Sequence, residues 1–245
     1  MIPSEKIKYI SNWIKTYVDQ MPTKAKSLVI GISGGIDSSV SSTLSAMTGL
    51  KTIVLTMPIK QKKDQHDLSL KHRDWLLKKF DNVEAHTINL DNLFMSFSST
   101  LNKFENEHGF ANSRARLRMT TLYQVAAANK GIVVGTGNKV EDFGVGFYTK
   151  YGDGGVDISP IADCNKSEVW ELGKEIGILG EIIDAPPTDG LWDDGRTDEG
   201  QLGFKYEDLE EAMKNPNSPH RQEYEKIRKQ NLHKMDPIPV CKIPS

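Results

Sequence analysis

Ser27-Leu28-Val29-Ile30-Gly31-Ile32-Ser33-Gly34-Gly35-Ile36-Asp37-Ser38-Ser39 decides the fold. Its first six residues form a short apolar run, the mark of a strand buried on both faces, as in a parallel sheet. Two glycines follow, and a helix is predicted from about Asp37 to Met47. Gly34 and Gly35 lack a Cβ, so the chain can turn tightly and bring its N–H groups close to a phosphate. Ser33, Ser38 and Ser39 add hydroxyl donors, and the helix directs the positive end of its dipole at the same point. In an open parallel sheet the ligand sits beyond the carboxyl end of such a strand. A carboxylate at Asp37 repels phosphate unless a cation lies between them, so Asp37 implies Mg²⁺ shared with phosphate oxygens. The alternative is that Asp37 only caps the helix. There is no G-x-x-x-x-G-K-[ST] loop, and no G-x-G-x-x-G follows a strand, so neither of those nucleotide folds is expected.

Working outward, residues 4–20 read as an amphipathic helix with Ile7, Ile10, Ile14 and Val18 on one stripe. Lys51–Met57 and Glu84–Leu90 read as strands, with a helix over Asp64–Phe80 between them. Helices near 91–107 and 112–130 follow, the second burying Ala115, Met119, Leu122 and Ala126. Residues 131–135 form another apolar strand. This alternation predicts an α/β fold, a doubly wound parallel sheet with helices on both faces. Beyond Thr136 the segments 136–165 and 184–204 are rich in Gly, Asp and Pro and read as mobile loops. Helices are predicted near 166–177, 205–214 and 219–232. The expectation is one domain spanning 1–245.

The 245 residues carry a formal net charge of −2 and are 38% hydrophobic. A core is therefore affordable, and no global charge draws the chain to nucleic acid or to an anionic membrane. No apolar run approaches the roughly 20 residues that span a bilayer. Met1-Ile2-Pro3-Ser4-Glu5-Lys6 lacks the apolar stretch of a signal peptide. Cys164 and Cys241 match no metal-ligand spacing and are expected to be free thiols in a reducing cytoplasm.

Ser33-Gly34-Gly35-Ile36-Asp37-Ser38 resembles the SGGxDS signature of the PP-loop ATP pyrophosphatases, which cleave ATP to AMP and pyrophosphate. Later segments select a branch. They are Gly135-Thr136-Gly137-Asn138-Lys139-Val140-Glu141, Phe147-Tyr148-Thr149-Lys150-Tyr151-Gly152-Asp153-Gly154-Gly155 and Val156-Asp157-Ile158-Ser159-Pro160. Asn112-Ser113-Arg114-Ala115-Arg116-Leu117-Arg118-Met119, Pro187-Thr188-Asp189-Gly190-Leu191, Thr197-Asp198-Glu199 and His233-Lys234 complete the set. Together, and in this order, they resemble the NAD synthetase family over residues 5–240.

That resemblance implies a Rossmann-like PP-loop fold and a ligase that amidates deamido-NAD. ATP would adenylate the nicotinate carboxylate, and ammonia would displace AMP to give NAD. It places ATP on Gly31, Ile32, Ser33, Gly34, Gly35, Ile36, Asp37, Ser38, Thr136, Lys166 and Thr188. Arg116, Lys150, Asp157, His233 and Lys234 would hold deamido-NAD. Asp37 and Glu141 would ligate Mg²⁺, Lys166 would reach the ATP phosphates, and Asp153 would position or deprotonate ammonium. One extra residue between Glu141 and Lys150, against the common family spacing, makes Asp142 a competitor of Glu141. The adenine contacts stay unassigned. The length leaves no room for a glutaminase domain, so free ammonia is the expected nitrogen source. A homodimer is implied. The alternatives are another PP-loop ligase, such as a tRNA-modifying one, and a nucleotide-binding regulator without catalysis.

Overall fold

The computed structural model describes residues 1–61, 63–188 and 197–244, without the side chains of 63–65. Four parallel strands form one sheet in the order β3-β2-β1-β4: β1 Ser27–Gly31, β2 Thr52–Thr56, β3 Val83–Thr87 and β4 Gly131–Val133. Strand β1 lies in the centre, with Val29 opposite Ile53 on one side and Val133 on the other. Successive side chains of β1 point to opposite faces. Leu28 and Ile30 join one apolar core and Val29 joins the other.

Both faces are covered. On one lie α1 (Pro3–Gln20), α2 (Ile36–Met47), α3 (Lys63–Lys79), α6 (Lys166–Ile176) and α7 (Gly180–Ile183). On the other lie α4 (Asp91–Thr100) and α5 (Glu107–Ala128). The sheet is therefore doubly wound. The stripe read from α1 is the buried one: Ile7, Ile10, Ile14 and Val18 pack into the first core, with Ile14 fully covered. Truncating such a residue to Ala costs roughly 2–5 kcal/mol.

The segment after β4 is more ordered than its composition predicts. Lys139–Val145 form one π-helical turn. Asn138 starts it, because its Oδ1 accepts from the N–H groups of Val140 and Glu141. Gly146, at φ 68°, ends it in the left-handed region. This turn packs with α9 (Tyr206–Lys214) and α10 (Arg221–Met235) around a third, smaller core holding Val140, Val145, Leu209 and Tyr224. Single polar anchors with no periodic signature thus replace the expected loop. Two further short helices were not read from sequence: α7, and α8 (Asp198–Leu202) with Thr197 Oγ1 capping the Gly200 N–H.

Among the described residues no helix is long and apolar enough to cross a membrane. Both cysteines are free, Cys164 buried and Cys241 exposed. Burial pushes the Cys164 thiol up to about 11, so it is unreactive near neutrality.

Candidate active site

The first strand ends in a loop that is closed on itself. Ser38 Oγ accepts from the Ser33 N–H at 3.2 Å and donates to the Gly35 carbonyl at 3.0 Å. Ser33 Oγ accepts from the Gly35 N–H at 3.2 Å. Gly34, at φ 90°, makes the turn that a residue with a Cβ resists. The loop therefore has its shape before any ligand arrives, and α2 begins immediately behind it at Ile36.

This loop floors a cavity of about 530 Å³ at the carboxyl ends of β1, β2 and β4. Gly31 to Ser38 line it, with Thr136, Glu141, Asp142, Asp153, Lys166 and Thr188. Every residue expected to touch ATP, metal or ammonium is thereby brought to one cavity, although they come from positions as distant as 31 and 188. Asp189, Gly190 and Leu191 of the Pro-Thr segment lie outside the described residues.

At the cavity's inner end stands a buried ion triad. Lys166 Nζ lies 2.5 Å from Asp37 Oδ2 and 2.9 Å from Glu141 Oε1, and the Lys166 side chain is only 2% exposed. Asp37 also accepts from Asn138 Nδ2 at 3.3 Å. Its carboxylate thus faces across to other elements, toward Asn138 and Lys166. Lys166 is the first residue of α6 because Asn165 before it is extended and Glu168 folds back to accept the Asn165 N–H. Burial would discharge the ammonium, but Asp37 and Glu141 outweigh it and raise its pKa. Burial likewise opposes ionisation of Glu141, yet Lys166 and the Tyr206 hydroxyl hold its carboxyl below the ordinary value. Asp37 is shifted up, by burial first and by Glu141 after it.

Sequence reasoning aimed Lys166 at phosphates; here it sits between the two expected metal ligands. Their fit to Mg²⁺ can be judged from the donors alone. Two hard carboxylates converge on one cation position. Among the described residues no cluster of three or more His, Cys, Asp or Glu could hold a metal. The pair therefore suits a cation whose other ligands are phosphate oxygens and water.

Glu141 and Asp142 part company in the structure. Glu141 shares the cation with Asp37. Asp142 presses on Gly137, where an added Cβ would come within 1.9 Å of Oδ2. Burial, then Asp153 and Glu141, raises the Asp142 carboxyl well above the ordinary carboxylate range. It faces the Gly-rich loop, where Asp153 Oδ1 accepts the Thr149 N–H at 2.9 Å.

The five residues assigned to deamido-NAD do not line the cavity. Three of them, Arg116, Lys150 and His233, connect to one another outside it, and Lys234 bonds nearby. Arg116 Nε donates to the Lys150 carbonyl at 3.3 Å, and Lys150 Nζ to the His233 carbonyl at 2.5 Å. Lys234 Nζ donates to the Gly146 and Tyr148 carbonyls. The fifth, Asp157, accepts from the Val133 N–H and the Tyr123 hydroxyl, tying β4 to its exit.

Several lining residues were given no site role from sequence: Met57, Gln61 and Leu68, Arg118, Met119 and Leu122, Gly137, and Pro186. Met57 follows β2, so the crevice rule applied to the neighbouring strand would have found it. Arg118 is held by donating Nε to the Met57 carbonyl at 3.0 Å. Arg114 is on the same helix face but buried, with its guanidinium 4.9 Å from the Phe94 ring centroid. Arg116 is exposed, as its helical phase required.

Comparison with known proteins bears on what this cavity does. The family model described as NAD synthase matches residues 6–242. An NH(3)-dependent NAD(+) synthetase of Carboxydothermus hydrogenoformans is 37% identical over 216 residues, covering 85% of this chain and 84% of that one. A solved NMN synthetase from Francisella tularensis is 31% identical with a TM-score of 0.90, covering 99% of this chain and 100% of that one. The NH3-dependent NAD synthetase from Campylobacter jejuni shares the fold at a TM-score of 0.79 and 24% identity, covering 99% and 100% of the two chains.

Proposed function

Since the chain belongs to the NAD synthase family, we propose that it is an AMP-forming ligase that amidates the nicotinate carboxylate of deamido-NAD with ammonia, consuming ATP and giving NAD. The observation that carries this reading is the single cavity. A preformed pyrophosphate loop, two cation-binding carboxylates and a buried lysine meet there beside Asp153.

In this reading the Ser33–Ser38 loop and the start of α2 bind the ATP phosphates through backbone N–H groups and hydroxyls. Asp37 and Glu141 would hold Mg²⁺, which when bound neutralises phosphate charge. Lys166 would then be released to meet the phosphates as charge builds on the leaving pyrophosphate. Attack of the nicotinate carboxylate at the α-phosphorus yields an acyl adenylate. Ammonia attacks its carbonyl carbon and AMP leaves, so one hard step becomes two easier ones. Asp153 would hold ammonium and take its proton. Met57, Leu122 and Gln61 line the same cavity and would flank the adenine.

Two observations favour a second acceptor. The chain superposes over 99% of its length on an NMN synthetase, and three of the residues expected to hold deamido-NAD, Arg116, Lys150 and Lys234, donate to protein carbonyls outside the cavity. The second reading is the same amidation on nicotinic acid mononucleotide. Steady-state kcat/KM with each acceptor, under saturating ATP and ammonium, tests both. Turnover of neither acceptor overturns the amidation reading, and a preference of tenfold or more assigns the substrate. Robust activity with glutamine alone would overturn the ammonia assignment. A homodimer in the cytoplasm is part of the same proposal. Leu93 and Met95 of α4 and Phe104 just beyond it are exposed apolar residues suited to a subunit contact, and light scattering tests it.

A further inference from the structure

We propose that Tyr206 is a positioning residue of the cation site, its hydroxyl fixing the Glu141 carboxylate in the orientation it shares with Asp37. The proposal rests on the reading of Asp37 and Glu141 as metal ligands.

Tyr206 is 2% exposed, and its Oη lies 2.5 Å from Glu141 Oε1 and 3.4 Å from Asp198 Oδ2. A phenol donates one hydrogen, and the shorter contact takes it. The ring is clamped. Trp170 packs edge-on with centroids 6.0 Å apart, and Lys166 Nζ lies 4.9 Å from the Tyr206 centroid. Its backbone is fixed as well, because the Tyr206 N–H donates to Glu199 Oε1 at 3.1 Å. Helix α9 is bolted to the start of α6, where Glu210 accepts from both the N–H and the hydroxyl of Ser167 at 2.9 and 2.7 Å. The Glu210–Ser167 bonds hold Tyr206, at the start of α9, close to Lys166, at the start of α6.

The two carboxylates have parallel support. Both have the Lys166 ammonium in common, with Asn138 Nδ2 donating to Asp37 and Tyr206 Oη to Glu141 as neutral donors. The lysine must release them if they are to bind a metal. The neutral donors need not move, and they keep the carboxylates aimed through the exchange. Partners of this kind orient metal ligands, and losing one costs roughly 10–100-fold in metal affinity.

The probe is Mn²⁺, followed by electron paramagnetic resonance in the presence of α,β-methylene-ATP, which cannot be cleaved between the α and β phosphates. Tyr206→Phe keeps the ring and removes only the hydroxyl. It is expected to weaken Mn²⁺ binding about tenfold while leaving metal-free nucleotide affinity unchanged. In a Glu141→Gln background the same change is expected to have no further effect. Equal Mn²⁺ affinity in wild type and Tyr206→Phe overturns the proposal, as does an equal loss of metal-free nucleotide affinity. If wild type itself binds no Mn²⁺ beside the nucleotide, the metal-ligand reading falls instead. Should Tyr206→Phe not fold, fluorotyrosine-labelled wild type carries the test. One of its seven tyrosine resonances should shift on adding Mg²⁺ with nucleotide and not in Glu141→Gln; the absence of any such shift overturns the proposal.

Discussion

Lys166→Met removes the one cation of the buried triad and leaves Asp37 and Glu141 facing each other. Contacts of 2.5 and 2.9 Å are each worth on the order of 5–7 kcal/mol at an effective dielectric constant near 20, before the cost of burying the charges. Desolvation of an ammonium that is 2% exposed cancels much of this. Removing one member of a buried pair typically costs about 3–5 kcal/mol. A chain of 245 residues has an unfolding entropy of roughly 0.5 kcal/mol per kelvin, so Tm in EDTA should fall by about 6–10 °C. Millimolar Mg²⁺ should recover much of that loss in the variant and little in wild type, because a divalent ion can replace the missing ammonium. The pH dependence has a definite sign. Without Lys166 the pair takes up a proton more readily than in the unfolded chain, so its folded pKa is raised. The variant's deficit is then smallest below about pH 4, the unfolded carboxylate pKa, and grows as pH rises through the folded value. Calorimetry with and without Mg²⁺ from pH 4 to 8 checks all three. A variant that melts within 2 °C of wild type in EDTA, or one that Mg²⁺ does not rescue, refutes the reasoning.

Three further outcomes follow from the packing. His72 is buried, stacks on Trp75 with centroids 5.5 Å apart and has Nε2 2.9 Å from Ser42 Oγ. Burial lowers its imidazole to about 3. The unfolded chain then binds the proton first, so this contribution is intact above about pH 6.5 and is lost as pH falls toward 3, by about 2 kcal/mol at pH 5. Urea midpoints of His72→Gln should fall less between pH 7 and 5 than those of wild type; equal falls would sink the assignment. Gly137→Ala drives a Cβ into the Asp142 carboxylate and should lower Tm, and adding Asp142→Ala should restore it; no rescue means the clash lies elsewhere. Gly173→Ala, whose Cβ would lie 2.6 Å from Ile36 Cδ1, should destabilise by roughly 1–3 kcal/mol. Ile36→Val should recover part of that loss in denaturant titrations, and purely additive effects would contradict direct packing of α6 on α2.

The sheet was legible because its signals are local. Ser27–Ile32 is apolar on both faces, and a strand so patterned has to be central and parallel; it is. The closed Gly-Ser loop after β1 was legible for the same reason, since its glycines and serines act within six residues of one another. The turn at 139–145 was not. Asn138 alone starts it and Gly146 ends it, and composition averages such single anchors away. Tyr206 left no trace either. It opens a helix that was foreseen, but its partner Glu141 is 65 positions away, and nothing periodic links them.

The same contrast explains how the site is built. A loop that receives phosphate, as proposed for this one, can be local because it needs only backbone N–H groups, which any chain supplies once it turns. A site for a small cation needs carboxylates that repel each other, and adjacent elements cannot force them together without a countercharge. This chain takes its pieces from α2, from the π-helical turn, and from the first residues of α6 and α9. Lys166 compensates the charge while two neutral donors, Asn138 and Tyr206, hold direction. Lysine in that position works against burial: it holds the Glu141 carboxyl below its ordinary value, while burial and Glu141 still leave Asp37 above its own. A metal bound as proposed would take the place of the ammonium between Asp37 and Glu141, and the displaced ammonium would lie beside the loop proposed to receive the phosphates.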